Sequence, residues 1–548
     1  MKNGRATARR LGVSFTWLPC LAGPLAVAFV VGSLFRFSAA VMWNSDAASP
    51  SLLVESLGGG NNGQTVLGDI SSLADLLGFM ATRWIPDHRA VWDVLPYATA
   101  LGGILLLAAA VRRLAGNRAA ALTFSLATAV SVPILFAQVA PAFHGTTWTL
   151  ACVLAFALVW LQGRDGQVAK PKLFAGAVGL GVIAGIGLAS DPLLLIVGIV
   201  PFVIATLLSL RWRREGLDRR QGIAGLVTGV VSIAVAVTAS QVASGFGLVT
   251  SRGYRGANPL ALASLNEIVT HFAQLWRNLL TLIGVANGSS VPTHWYGYPT
   301  IAVALAALGS LLLALVQILR RNPSHPRAEQ GFLVFWASSI VLLIAGYVVS
   351  AIPNAEIDGP QNARYLVPLC LAVSATLPIL WRGQAFTQLA TAAAAAVLIV
   401  PGFISVVTAE MATGRERGPI ARQAPAVEAW LTEQQATVGY GGYWDAASLT
   451  FQTGLVVRAV EPCEPDLRAT LFPRIINTRR GWYRPTGARR SFLLVNTQPS
   501  SGITRADARA AGDLGPPAVV RTFGTMSALI YDYDLGQRLG GPWGIRHG

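Results

Sequence analysis

Charge is what this sequence has least of. Only 12% of its 548 residues are Asp, Glu, Lys or Arg, against 53% hydrophobic, and the mean hydropathy is +0.52. A soluble domain carries about 25% charged residues, so one ordinary soluble globule is excluded and a polytopic membrane protein is indicated. Acidic groups are the scarcer sign, 26 against 42 Lys and Arg, which gives a net charge of +16 and a pI near 10.4. The Arg residues gather in short clusters between apolar runs, as on a cytoplasmic membrane face, and this excludes nucleic acid as the partner they serve. Cysteine is also rare. Cys20, Cys152 and Cys370 lie in apolar runs and Cys463 stands alone in the polar tail, so neither a disulfide framework nor a cysteine metal site follows. The glycine-rich "GYGGYW" lacks the spacing of a dinucleotide loop, and no other feature of the tail identifies a nucleotide site.

What is abundant is the apolar run near the ~20 residues needed to cross a bilayer. Eleven occur, at roughly 14–36, 91–111, 118–138, 146–163, 173–190, 192–210, 222–245, 299–319, 331–352, 364–381 and 386–408. The first is too long for a cleaved signal and lacks a small-residue cleavage site, so it is read as an anchor helix. The fifth and sixth are separated only by Ser190 and Asp191, which demands a tight turn. Basic residues mark alternate loops: the N-terminus, "RRLAGNR", "GRDGQVAKPK", "RWRREGLDRR", "RRNPSHPR" and Arg382. The opposite short loops, "APAFHG" and "SD", have none, which places the N-terminus in the cytoplasm and everything after residue 408 outside it.

The outer face also receives the long loops, 40–90 and 250–298. The first contains "SPSLLVESL" and "SSLADLLGFMATRWI", the second "LNEIVTHFAQLWRNLLTLIGVA", and all three have the apolar spacing of helices lying in the interface. Trp295, Tyr296 and Tyr298 fit an aromatic belt. From Ala424 the pattern changes to a helix, "APAVEAWLTEQQ", a strand, "ATVGYGGYW", a second helix, "DAASLTFQTG", and then "LVVRAV", "SFLLVNT", "AVVRTFG" and "SALIYDYD" as strands. The chain therefore divides into a membrane domain, 1–408, and a small extracytoplasmic α/β domain, 409–548.

A first span emptying into an outer loop that opens with an Asp ("WNSDAAS"), interfacial helices in that loop, an "FHGTT" turn before the fourth span, "ARYLVPL" entering a late span and an outer C-terminal domain belong together. This combination resembles the GT-C class of integral membrane glycosyltransferases, over the whole chain in architecture and through short motifs locally. The resemblance implies an inverting transfer from a polyprenyl-phosphate sugar to a cell-envelope glycan or glycolipid acceptor, at the outer face of a bacterial plasma membrane. The Ala-, Gly-, Val- and Arg-rich composition suggests a high-GC, actinobacterial-like source, for which the resemblance implies arabinosyl or mannosyl donors. It also implies a catalytic carboxylate in the first outer loop, which is Asp46 here. The paired acidic form of that motif is absent, since Ala47 and Ala48 follow, and the need for a divalent cation stays open.

The chemistry requires a base for the acceptor hydroxyl and positive groups for the departing phosphate. Asp46 is the candidate base; its other reading is a cap for a helix starting near Pro50. Asp69 reads as the cap of the second interfacial helix, or as a second carboxylate for acceptor or metal. His144 either hydrogen-bonds phosphate or sugar or stabilises its turn, and Asp191 caps the sixth run ahead of Pro192. Arg364, at a mouth where the charge rule disfavours Arg, is the candidate donor-phosphate ligand, as the Arg-Tyr pair in the resemblance also implies; otherwise it snorkels to lipid, with Glu356 and Asp358 near enough to pair with it. Arg252, Arg255, His271 and Arg277, on the long outer loop, are weaker candidates, each otherwise a surface charge. Tyr440, Tyr443 and Trp444 could stack on an acceptor glycan or pack the tail against the membrane domain. Two rival classes remain: a flippase or transporter of lipid-linked precursors, disfavoured by spans almost free of ionisable groups, and a non-catalytic cell-wall-binding scaffold, for which eleven spans are excessive.

Overall fold

The computed structural model describes residues 45–56, 65–67, 72–128, 144–162, 170–211, 219–250, 262–286, 290–320, 326–350, 352–354, 362–381, 393–402, 419–462, 471–474, 476–497 and 503–539, with 130, 134, 137–138, 140–141 and 404. The expected first span, Asp69, Arg252, Arg255, Glu356, Asp358, Arg382, Cys20, Cys463 and the junction near residue 409 lie outside these residues.

The described chain opens with α1 (Ser45–Ser56), β1 (Thr65–Leu67) and α2 (Ser72–Thr82). Helix α1 begins at Ser45 and runs through Pro50, with the Ser49 and Ser51 hydroxyls donating to the Ser45 and Ala48 carbonyls. It was expected to start near Pro50 and to lie in the interface. Nine of its twelve residues are buried instead, because α2 packs on it from one side and the C-terminal domain from another. Helix α2 is two-faced, burying Leu76 and Phe79 while exposing Leu77 and Met80.

The bundle follows: α3 (His88–Ala115), α4 (Asn117–Thr128), α5 (Gly145–Gln162), α6 (Lys170–Ser190), α7 (Val200–Arg211), α8 (Arg219–Gly245), β2 (Leu248–Thr250), α9 (Leu265–Leu282), α10 (Gly297–Leu319), α11 (Arg327–Val349), α12 (Val367–Leu380) and α13 (Ala393–Gly402). Among the described residues seven helices are long and apolar enough to cross a membrane: α3, α5, α6, α8, α10, α11 and the continuous helix Ala363–Leu380 that ends in α12. Of the third and eleventh expected runs the described residues include α4 and α13, and the sixth is helical from Leu193 to Arg211. The sixth turns at Asp191–Pro192 and includes a π-helical segment, Leu195–Ile199, before α7. Close helix contacts rest on glycine: a Cβ on Gly185 of α6 would lie 2.6 Å from the Val235 Cβ of α8. Helix α9 is fastened by a Ser264–Glu267 capping box. It buries His271, Leu275 and Asn278 on one side and exposes the apolar Leu265, Val269 and Phe272 on the other.

The C-terminal domain comprises α14 (Pro419–Glu433), β3 (Val438–Gly441), α15 (Tyr443–Gln452), β4 (Val456–Pro462), β5 (Leu471–Pro473), β6 (Thr478–Arg479), β7 (Ser491–Asn496), α16 (Arg505–Ala510), β8 (Val519–Phe523) and β9 (Met526–Tyr531). Its six-stranded sheet has the order β5-β4-β3-β7-β9-β8; β3 is parallel to β4 and β7, and the other neighbours are antiparallel. Alternation along β7 sends Phe492 and Leu494 to a core with Val427 and Leu431 of α14, and Leu493 and Val495 to a second core on the opposite face. The expected strand "ATVGYGGYW" ends at Gly441, so Tyr443 and Trp444 open helix α15 instead.

Three devices fix this domain on the bundle. Strand β1 pairs in parallel with β2 and antiparallel with β6, which stitches two membrane-domain loops to the tail. Arg89 of α3 forks onto Glu55 of α1 at 2.7 and 2.8 Å and donates to the Phe451 carbonyl at 3.0 Å. The Arg479 guanidinium donates to the Ser56 carbonyl. The end of the bundle carrying α1, α2 and this domain is its capped face.

Candidate active site

Asp46 sits in the first turn of α1, where the helix dipole favours a carboxylate. The opening turn of α15 faces it. The Ser45 hydroxyl donates to the Trp444 carbonyl at 2.9 Å, and the Tyr443 hydroxyl donates to Asp46 Oδ1. Asn477 Nδ2 donates to the same phenolic oxygen at 3.0 Å, and the Arg474 guanidinium lies 3.9 Å from the centre of the Tyr443 ring. Asn477 holds this position with φ of 55°, a left-handed conformation that Asn tolerates. Tyr443 is 4% exposed. Its burial, then the charge of Asp46 and the hydrogen bond to it, push the phenol well above its ordinary range, so it stays a donor.

A second group gathers where α5 and α12 begin at the same face. His144, with φ of 70°, directs Nδ1 to Asp191 Oδ2 at 2.6 Å, and the Thr147 hydroxyl donates to that same oxygen at 2.5 Å. Asp191 Oδ1 accepts from the Leu193 N–H at 3.0 Å. Burial acts to raise the Asp191 carboxyl, but the His144 charge and the hydrogen bonds from His144, Thr147 and Leu193 outweigh it and hold the group below the usual carboxylate range. The His144 ring lies 5.0 Å from that of Tyr365, and the Arg364 guanidinium lies 5.1 Å from the same ring and donates to its hydroxyl at 3.4 Å. Helix α2 links this group to the seam, since Asp75 accepts from Thr146 at 2.8 Å and α2 packs on α1.

The bundle holds an apolar cavity of about 100 Å³. It lies between α9, α10, α12 and α13, with Trp276, Leu279, Leu308, Leu369, Cys370 and Leu398 among its walls. Leu369 and Cys370 follow Arg364 by about one and a half helical turns.

The expected residues thus separate into two groups. His144 and Arg364 come together around Tyr365, whereas Asp46 faces the tail domain. Arg364 is only 5% exposed, which does not suit a cation snorkelling to bulk lipid. His271 is buried against the Val348 carbonyl, at 2.8 Å, and is structural. Tyr440 and Tyr443 are buried and present no ring to an acceptor; Trp444, 37% exposed, is the aromatic of the three that reaches the surface. Asp191 does cap its turn, as expected, and also anchors His144. Asp75, Asn477 and Arg474 were not anticipated. An acid in the first turn of an amphipathic helix is the one local signal for Asp75, and the other two have none. Among the described residues no three His, Cys, Asp or Glu side chains gather to hold a metal ion.

No protein-family model and no curated protein matches the chain. Among solved structures, ArnT from Cupriavidus metallidurans is similar in two states. Bound to undecaprenyl phosphate it matches with 13% identity and a TM-score of 0.49, and in the apo state with 14% and 0.48; each match covers 92% of this chain and 97% of that one. The archaeal oligosaccharyltransferase AglB from Archaeoglobus fulgidus, in complex with an inhibitory peptide and a dolichol-phosphate, matches 78% of this chain and 64% of its own at 13% identity, with a TM-score of 0.39. At these identities and scores the likeness adds nothing to the reading of the site, which rests on this chain's own residues.

Proposed function

We propose that the chain is a GT-C-class membrane glycosyltransferase that moves a sugar from a polyprenyl-phosphate donor to an envelope glycan or glycolipid acceptor on the extracytoplasmic side, with Asp46 as base. The observation that carries this reading is the arrangement of the capped face, a carboxylate at the seam between bundle and tail and an Arg364–Tyr365–His144 group, together with an apolar cavity walled in part by Leu369 and Cys370 of the helix that Arg364 introduces. An apolar cavity bordered by an interfacial helix suits an isoprenoid chain, and Arg364, at the start of a helix that lines the cavity, offers its phosphate a guanidinium able to take two oxygens. The acceptor oxygen attacks the anomeric carbon and its proton passes to Asp46. The bond from that carbon to the phosphate oxygen breaks with inversion, and the electron pair leaves on polyprenyl phosphate, where positive groups stabilise it.

The test is a transfer assay on purified protein with a panel of polyprenyl-phosphate sugars. Asp46→Asn keeps the size and the helix-start preference of the side chain. It should retain donor binding and lose turnover by roughly 10²–10⁴-fold, the usual range for a general base. Turnover near that of the wild type would sink the assignment.

A further inference from the structure

We infer that Tyr443 is a positioning residue for the Asp46 carboxylate, so that the C-terminal domain completes the base and does more than cover it. This rests on the reading of Asp46 as the base. The hydroxyl is constrained at both of its functions: its proton goes to Asp46 Oδ1, and its oxygen accepts from Asn477 at 3.0 Å. The ring is constrained as well, with Arg474 3.9 Å from its centre and the Trp444 ring edge-on to it at 5.1 Å. Tyr443 and Asn477 are both buried, so the contact is part of the packed seam between α1 and α15. The Ser45 hydroxyl, one residue before the acid, ties the two helix starts together through the Trp444 carbonyl.

A carboxylate accepts on both oxygens, so a donor fixed on Oδ1 sets the orientation of the group toward the acceptor hydroxyl. A hydrogen bond given to the ionised form also favours that form, which keeps the base ready at neutral pH. The donation from Asn477 polarises the phenol and strengthens its own donation. The domain that bears Tyr443 lies 397 residues along the chain from Asp46, so formation of the base requires the tail to be docked.

The experiment compares pH profiles of kcat/KM for the full-length wild type, Tyr443→Phe and Asn477→Ala, with melting temperature and donor binding as controls on folding. Loss of the hydroxyl should move the acidic limb of Tyr443→Phe upward by about one to two pH units, the range that a hydrogen bond to a charged group represents. Turnover at neutral pH should fall about tenfold, with the donor KM unchanged. Asn477→Ala should shift the limb in the same direction by less. An unmoved limb, or turnover that rises because Tyr443 had been blocking the acid, overturns the inference. Asp46→Asn separates the two levels. If that variant is inactive while the Tyr443→Phe limb stays in place, the positioning role alone fails; if it keeps its turnover, the base reading and this inference fail together.

Discussion

His144 Nδ1 and Asp191 Oδ2 lie 2.6 Å apart, joining the turn before α5 to the turn after α6, and each side chain is only 5% exposed. The pair organises the face at which Arg364 and Tyr365 stand, because the imidazole that Asp191 fixes packs on the Tyr365 ring. A carboxylate that holds an imidazole in this way also sets which ring nitrogen carries the proton.

Acid stability should report this pair. The Asp191 carboxyl is depressed in the folded protein, so its contribution is present above the unfolded Asp value of about 3.9 and is lost as pH falls below it toward the folded value. Melting of the detergent-solubilised wild type should therefore weaken below about pH 4. In Asp191→Asn that extra acid loss should disappear, and the melting temperature at pH 7 should be lower than in the wild type. Identical acid slopes in the two proteins would contradict the depressed Asp191 carboxyl.

Asp445 predicts the opposite slope. It stands two residues after Tyr443 in α15, is buried and is hydrogen-bonded to Asn496; burial raises its carboxyl to about 7 and the Asn496 bond offsets only part of this. A folded value above the unfolded one means stability that is fully present below about pH 4 and is lost as pH rises through about 7. Asp445→Asn removes the ionisation while keeping the shape, so its melting temperature should stay level from pH 5 to 8 while that of the wild type declines. A wild type with no decline over that interval would show that the carboxyl is not buried in this way.

Local signals were legible and distant ones were not. The long apolar helices and the strands of the tail could be read because a run of ~20 apolar residues and a period of two are properties of neighbouring residues. Asp191 shows the boundary within one side chain. Its cap on Leu193, two residues away, was readable, and its grip on His144, 47 residues away, was not. Helix α1 was misjudged because "SPSLLVES" looks the same whether lipid or a docked domain covers it. For Tyr443 the sequence left a sugar platform and a packing role side by side, because its partner Asp46 lies near the far end of the chain and a sequence pattern carries no record that the ring is covered by Arg474.

Arg364 supplies the last prediction. Its guanidinium is withdrawn from solvent, lies over the Tyr365 ring and donates to the Tyr365 hydroxyl, and the wall of the apolar cavity begins on the helix it introduces. Lysine keeps the charge but replaces a planar fork by a point donor, and stacks poorly on an aromatic face. If Arg364 holds the donor phosphate, Arg364→Lys should bind the polyprenyl-phosphate sugar about ten- to a hundredfold more weakly, in keeping with the ~1.5–3 kcal/mol of a charged hydrogen bond. Affinity for the same isoprenoid as a neutral alcohol should change little, because the cavity that takes the chain is untouched. Direct binding of both lipids to both proteins measures the difference. Equal loss for the charged and the neutral lipid would mean that the substitution had deformed the helix start, and unchanged affinity for the phosphate would leave Arg364 as a structural partner of Tyr365.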